Sequence, residues 1–371
     1  MSGKIKIAIF WGTFDPFHND DKKVLEELVR SKRFNHVVVM PLGLAPYNDK
    51  YMTPSGYRYE MARLGIRGLP GSVLSDYEIN RPGQYSHTID TIDFFKGKYR
   101  AEHTGKVKVE VSLVYDSDAL DTIEYWHKPE QIMKKAGLLI CRRESDNFEH
   151  MKERAAYLRT EYQADIGFFK VKGTGKYQKG KMPPAVRRYI RKNKIYAFSN
   201  EMAQLNHQQL IQLAIYEKEV RKNVSRFKFN HSLNVMQYAV HLAARHDYNL
   251  MKAATAGILH DIAKSMKLAK QYRLAKKQKK SSPLNKNGVH GAAGAWYAHH
   301  HLGITNKKVL DALTFHTTPR ENMTKLDKIV YLADKLEHGR TIRKSKKVRR
   351  TAETDLTSAM KLCLKDGGTN A

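Results

Sequence analysis

The stretch AATAGILHD, residues 253–261, is almost wholly apolar until it stops on His260 and Asp261. A carboxylate in such surroundings is costly unless it is neutralised, and a cation held jointly with the imidazole does that. Working outward, His231, His290, His316 and Asp334 also lie in apolar segments between residues 230 and 340. Imidazoles and carboxylates without a thiolate suit iron, manganese, zinc or cobalt, and argue against a structural zinc knot. An aspartate between two metals can bridge them, so the pattern predicts a pair of divalent or iron-type ions. Segments 232–245, 251–260, 292–301, 307–314 and 323–337 carry helical patterning, and no strand pattern follows Val220. The C-terminal half is therefore expected to be an all-α bundle with ligands in its core. His241, His246, His299, His300, His301 and His338 fit no ligand order and read as surface or packing residues.

Upstream, apolar runs at 4–11, 36–41, 73–79, 107–114 and 138–141 alternate with helical segments such as 20–31 and 57–65. That alternation predicts a doubly wound α/β sheet with ligands at the carboxyl ends of its strands. Gly12-Thr-Phe-Asp-Pro-Phe-His (12–18) ends the first run, followed by Tyr85-Ser-His-Thr-Ile-Asp-Thr (85–91), Asp118-Ala-Leu with Trp126, and Tyr196-Ala-Phe-Ser-Asn-Glu-Met (196–202). In content and order these resemble the nicotinate mononucleotide adenylyltransferase family, within the H-x-G-H nucleotidyltransferases, over residues 1–210. The resemblance implies a Rossmann-like fold that binds ATP and a mononucleotide through Gly12, Thr13, Phe14, His18, Thr88, Asp118, Trp126 and Ser199. His18 has an ordinary loop role as its alternative, Trp126 a core role, and Thr88 a helix cap.

Four departures bear on the chemistry. Trp11 precedes Gly12 where the family has glycine, and His18-Asn-Asp-Asp (18–21) lacks the second histidine of H-x-G-H. Asp116 replaces a glycine, and Ala203 stands where an arginine belongs. Adenylyl transfer depends on donors and cations around the transferred phosphorus, and losing one donor costs about 10²–10³-fold. Asp20, Asp21 and Asp116 would also repel a triphosphate, so weak or lost adenylyltransferase activity is expected.

The second half resembles the HD-domain superfamily, and within it the symmetrical diadenosine tetraphosphate hydrolases. The matching text is Phe229-Asn-His-Ser-Leu-Asn-Val, Leu259-His-Asp-Ile-Ala-Lys, Val289-His-Gly, Phe315-His-Thr-Thr, Ile329-Val-Tyr-Leu-Ala-Asp and Gly339-Arg340. Pro319 departs from the family's usual glycine, and 264–280 is a long basic segment. The resemblance implies two-metal phosphohydrolysis. His231, His260, Asp261 and Asp334 would hold one ion, and Asp261, His290 and His316 the other. Lys264, Arg320 and Arg340 would clamp phosphates, with Thr317 as a hydrogen-bond donor and a helix-end cation as the alternative for Lys264.

The 371 residues suffice for two domains, expected at 1–210 and 211–371. Two cysteines, no secretory leader and no membrane-length apolar run point to a reduced cytoplasm. The net charge of +29 is concentrated in acid-free stretches 166–200 and 262–310 and in a cluster at 340–350. Such a field attracts polyanions. Three functions are thus weighed: a dinucleoside polyphosphate hydrolase with a degenerate nucleotidyltransferase domain, a bifunctional enzyme, and an RNA-binding protein acting on capped 5′ ends. A homo-oligomer is compatible with each.

Overall fold

The computed structural model describes residues 3–44, 51–84, 87–103, 107–171, 181–278, 285–340 and 345–365. The chain forms two compact units, Met1–Pro46 with Arg58–Arg188, and Tyr47–Tyr57 with Tyr189–Ala371. The division falls earlier than the expected 210, because the segment after Arg188 packs on the helical unit: Phe198 lies 5.7 Å from the Tyr238 ring and 4.5 Å from that of His241.

The first unit is built on a parallel sheet of β1 (Lys4–Gly12), β2 (His36–Pro41), β3 (Ser72–Leu74), β4 (Lys108–Tyr115), β5 (Gly137–Arg142) and β6 (Ile166–Lys170). Its spatial order is β3-β2-β1-β4-β5-β6. Helices α1 (Asn19–Arg30), α2 (Ser55–Gly65), α3 (Thr88–Glu102), α4 (Ala119–Thr122), α5 (Pro129–Lys135), α6 (Phe148–Tyr162) and α7 (Pro184–Asn193) complete the elements up to the division, which cuts α2 and α7. Ile7, Ile9, Val38, Met40, Leu113 and Ile140 form one apolar core, as expected for strands covered on both faces. The strand order reverses between β1 and β4, and the loops after their carboxyl ends hold Gly12–His18 and Asp116–Asp118. That is where open α/β sheets bind ligands.

The second unit is helical: α8 (Ser199–Met202), α9 (His207–Asn223), α10 (Arg226–Arg245), α11 (Leu250–Leu259), α12 (Leu268–Lys277), α13 (Val289–Leu302), α14 (Lys307–Phe315), α15 (Lys325–Leu336), α16 (Ser345–Ala352) and α17 (Leu356–Lys365). Side chains of Asn206, Ser225, Asn249, Asn306 and Thr324 cap α9, α10, α11, α14 and α15. Such caps contribute about 1 kcal/mol each. Residues 195–198, β-like by residue type, are turns with Ile195 and Phe198 buried. No helix among the described residues is long and apolar enough to cross a membrane.

Candidate metal centre

His231 lies in the second turn of α10, and Asp334 near the end of α15. His260 and Asp261 follow directly on the C-terminus of α11, and His316 directly on that of α14. His290 is in the first turn of α13. A Cβ on Gly291 would stand 2.7 Å from the Thr314 carbonyl oxygen and 2.8 Å from that of Leu313. Glycine there lets α13 lie against the end of α14, which brings His290 beside His316.

All six side chains are buried, none more than 8% exposed. His260 Nδ1 donates to the Gly257 carbonyl at 2.8 Å, and His316 Nδ1 to that of Leu313 at 2.8 Å. His231 Nδ1 donates to the Glu337 carboxylate at 3.2 Å. These acceptors fix the tautomers, so each Nε2 presents a lone pair inward. The Nε2 atoms of His290 and His316 lie 3.1 Å and 3.3 Å from Asp261 Oδ1, and 3.2 Å from each other. His260 Nε2 is 3.6 Å from Asp261 Oδ2 and 3.3 Å from His231 Nε2, which lies 3.0 Å from Asp334 Oδ1. Two groups result, His231–His260–Asp261 and Asp261–His290–His316, each with donor atoms within 4.8 Å of one another. Asp261 is common to both, as a bridging carboxylate must be. Imidazole and carboxylate donors with their outer hydrogen bonds already made fit divalent or iron-type cations.

Electrostatics agree. Burial alone would push the Asp261 and Asp334 carboxyls up, yet their histidine neighbours, and Lys335 beside Asp334, hold both well below the usual range. Burial lowers His290 and His316, favouring the neutral, metal-binding form. His231 is the exception: Asp334 and Glu337 outweigh burial and raise it to about 9, so without a cation its Nε2 carries a proton that metal binding must displace.

Of the expected phosphate clamps, two reach the cluster. Lys264 Nζ is 3.4 Å from Asp261 Oδ1, and Arg340 Nη2 is 3.0 Å from Asp334 Oδ1 and 3.3 Å from His231 Nε2. Arg320 is instead held by Asp327 at 2.7 Å and Asp311 at 3.6 Å, over the Phe315 ring. The Thr317 hydroxyl is buried and makes no hydrogen bond. Residues the sequence reading passed over are Glu337, which orients His231, and Lys335, 3.2 Å from Asp334 Oδ2. Glu337 lies three residues beyond Asp334, a spacing that sets both on one helical face and marks it as a partner. The excluded histidines behave as expected: His241 pairs with Glu201 and Glu353, His338 stacks on Phe198, and His299, His300 and His301 are exposed.

In the first unit, Phe14 has φ 49° and its ring covers Gly12, where a Cβ would meet it at 2.5 Å. The buried Arg58 guanidinium donates to the carbonyls of Thr13 and Leu42 at 3.1 Å and 2.7 Å, fixing the loop. Trp11 stacks on Tyr115 at 5.3 Å and donates to Glu78, and Trp126 meets Tyr115 edge-on at 5.0 Å. Thr88 is the first residue of α3, whose N-cap is His87, and Asp118 is the N-cap of α4. Tyr85 and Ser86 lie outside the described residues. Ser199 lies in the second unit, at the start of α8.

The three acidic replacements are largely compensated. Arg143 holds Asp116 at 2.8 Å, Lys23 is 3.7 Å from Asp20, and Asp21 accepts from the His18 amide at 2.6 Å. Burial raises the Asp21 carboxyl to about 7. Its folded value lies above that of the unfolded chain, about 3.9. The folded state therefore holds a proton the unfolded state has lost, and stability from this group falls as pH rises from about 4 through 7. Asp21→Asn keeps an acceptor for His18 and removes the cost of ionisation. It is expected to raise the melting temperature of the first unit at pH 8 by a few degrees and leave it unchanged at pH 4.5, checked by calorimetry at both.

Residues 229–339 match the HD domain family and residues 9–179 the cytidylyltransferase-like family. Fold and site thus define a nucleotidyltransferase-like α/β domain joined to an HD-domain hydrolase. A probable nicotinate-nucleotide adenylyltransferase/Ap4A hydrolase of Mycoplasma pneumoniae is 25% identical over 358 residues, 96% of this chain and 94% of that protein. A symmetrical bis(5′-nucleosyl)-tetraphosphatase of Halalkalibacterium halodurans is 34% identical over 144 residues, 38% of this chain and 77% of that one. A probable nicotinate-nucleotide adenylyltransferase of Caldicellulosiruptor bescii is 30% identical over 162 residues, 44% of this chain and 77% of that one. The C-terminal half of the chain belongs to the family of the symmetrical bis(5′-nucleosyl)-tetraphosphatases and the N-terminal half to that of the nicotinate-nucleotide adenylyltransferases.

Proposed function

We propose that the helical unit hydrolyses dinucleoside polyphosphates, cutting diadenosine tetraphosphate between its two central phosphates to give two ADP. The observation that carries this is the pair of buried imidazole–carboxylate groups sharing Asp261. Two divalent or iron-type ions, iron foremost, held by His231, His260, Asp261 and Asp334 and by Asp261, His290 and His316, would supply Lewis acidity and a water of lowered pKa. Lys264 and Arg340, beside those ligands, offset charge on the bridging phosphates. The Thr317 hydroxyl, buried without a partner, has a donor to give a phosphate oxygen. Arg320 is too well engaged with Asp327 to serve unless that pair opens. Purified protein analysed for metal and offered a panel of nucleotides tests the reading. Diadenosine tetraphosphate should yield ADP alone, and ATP with AMP as products would overturn the symmetrical cut.

A bifunctional enzyme gains from one observation. Arg143 neutralises Asp116, and the Asp21 carboxyl ionises only near pH 7, so the repulsion expected against a triphosphate is smaller than the sequence suggests. The missing second histidine still argues for slow transfer. A coupled assay with ATP and nicotinate or nicotinamide mononucleotide separates the two, since ordinary turnover would establish synthesis in the first unit.

A further inference from the structure

We propose that Tyr57, supplied from the N-terminal half of the sequence, is a positioning residue for the metal centre. Residues 47–57 belong to the helical unit. Their attachment is built from side chains of that unit. Glu217, 4% exposed, accepts from Ser55 Oγ at 2.9 Å and from the Gly56 amide at 3.2 Å, at the start of α2. A carboxylate at a helix N-terminus satisfies donors that have no partner within the helix. A Cβ on Gly56 would stand 2.6 Å from the Phe229 ring and 2.7 Å from Leu233, so this turn lies directly against α10.

The Tyr57 ring is fully buried, and its hydroxyl donates to Asn234 Oδ1 at 2.6 Å. Asn234 Nδ2 donates to Glu337 Oε2 at 2.8 Å and to Asn193 Oδ1 at 3.0 Å. Glu337 Oε1 accepts from His231 Nδ1 at 3.2 Å. The chain Tyr57–Asn234–Glu337–His231 therefore runs through four buried side chains to a candidate ligand. The Tyr57 phenol satisfies the Asn234 oxygen, while Glu337 and Asn193 hold the amide nitrogen. With its oxygen engaged by the phenol, the amide must turn its nitrogen to Glu337. Without the phenol, the buried Asn234 oxygen loses its donor, so the amide is held only through its nitrogen and its grip on the Glu337 carboxylate loosens. Partners of this kind, acting on a ligand through its outer nitrogen, change metal affinity by about 10–100-fold.

The proposal rests on reading the six residues as a metal centre, and its test separates the two. Metal affinity of full-length Tyr57→Phe, Glu337→Gln, the double variant and Tyr297→Phe is measured by chelator competition, with melting of the metal-stripped proteins as the check on folding. Tyr297 carries a comparable hydroxyl bond, to Glu219, with no route to His231. Tyr57→Phe is expected to weaken binding about tenfold and Tyr297→Phe not at all. In the double variant, Tyr57→Phe should add nothing to the loss from Glu337→Gln, because both act through one group. Wild-type affinity in Tyr57→Phe, or additive losses, would overturn the proposal while leaving the metal centre intact. Should Tyr57→Phe fail to fold, Asn234→Ala breaks the same chain, and wild-type affinity there overturns it equally. Metal retained in full by Asp261→Ala would instead sink the metal reading itself.

Discussion

Asp261→Ala is expected to remove hydrolysis by at least about 10³-fold and to strip most of the bound metal, because one carboxylate serves both imidazole groups. Asp261→Asn keeps the shape and loses the charge, so it should retain more metal than alanine yet remain nearly inactive. Asp334 beside His231 and His260 would then be the one aspartate left among the four imidazoles. Elemental analysis alongside product release from diadenosine tetraphosphate checks both outcomes. A variant that kept its metal and its rate would mean that the convergence of these side chains on Asp261 is structural.

Arg340→Ala is expected to act in the opposite pattern, with kcat/KM for the tetraphosphate lower by about 10² and metal content preserved. The guanidinium lies 3.0 Å from Asp334 but is 26% exposed at its side chain, so it can turn from carboxylate to phosphate. Lysine at this position should restore little, since a point charge cannot replace a planar fork on phosphate oxygens. Loss of metal in Arg340→Ala would show that the arginine supports Asp334 rather than substrate.

The cluster of histidines and aspartates and the sheet were readable because each rests on a local cost. An apolar helix that ends on a histidine and an aspartate has few stable explanations, and apolar runs punctuated by glycine have few besides buried strands. What escaped the reading depended on tertiary context. Ile195-Tyr-Ala-Phe looks β-like by residue type, yet its apolar side chains are consumed by packing on the helical unit. Strand β6, Ile166-Gly-Phe-Phe-Lys, opens an acid-free stretch whose charge drew attention from its pattern. Arg320 matched a family motif, but nothing in that motif reveals that Asp327, three residues into α15, would hold it through its capping carboxylate. Tyr57 was beyond reach of any motif, being separated by 177 residues from the asparagine it orients.

The same segment bears on how the gene can be divided. A fragment begun at Tyr189 would contain every candidate ligand and still lack Ser55, Gly56 and Tyr57. It would expose Phe229 and Leu233 and strand the Glu217 carboxylate without its two donors. Expression of the hydrolase half alone therefore calls for grafting the short insertion back, or for apolar replacements at Glu217 and Asn234, before its solubility or metal affinity is compared with the intact chain.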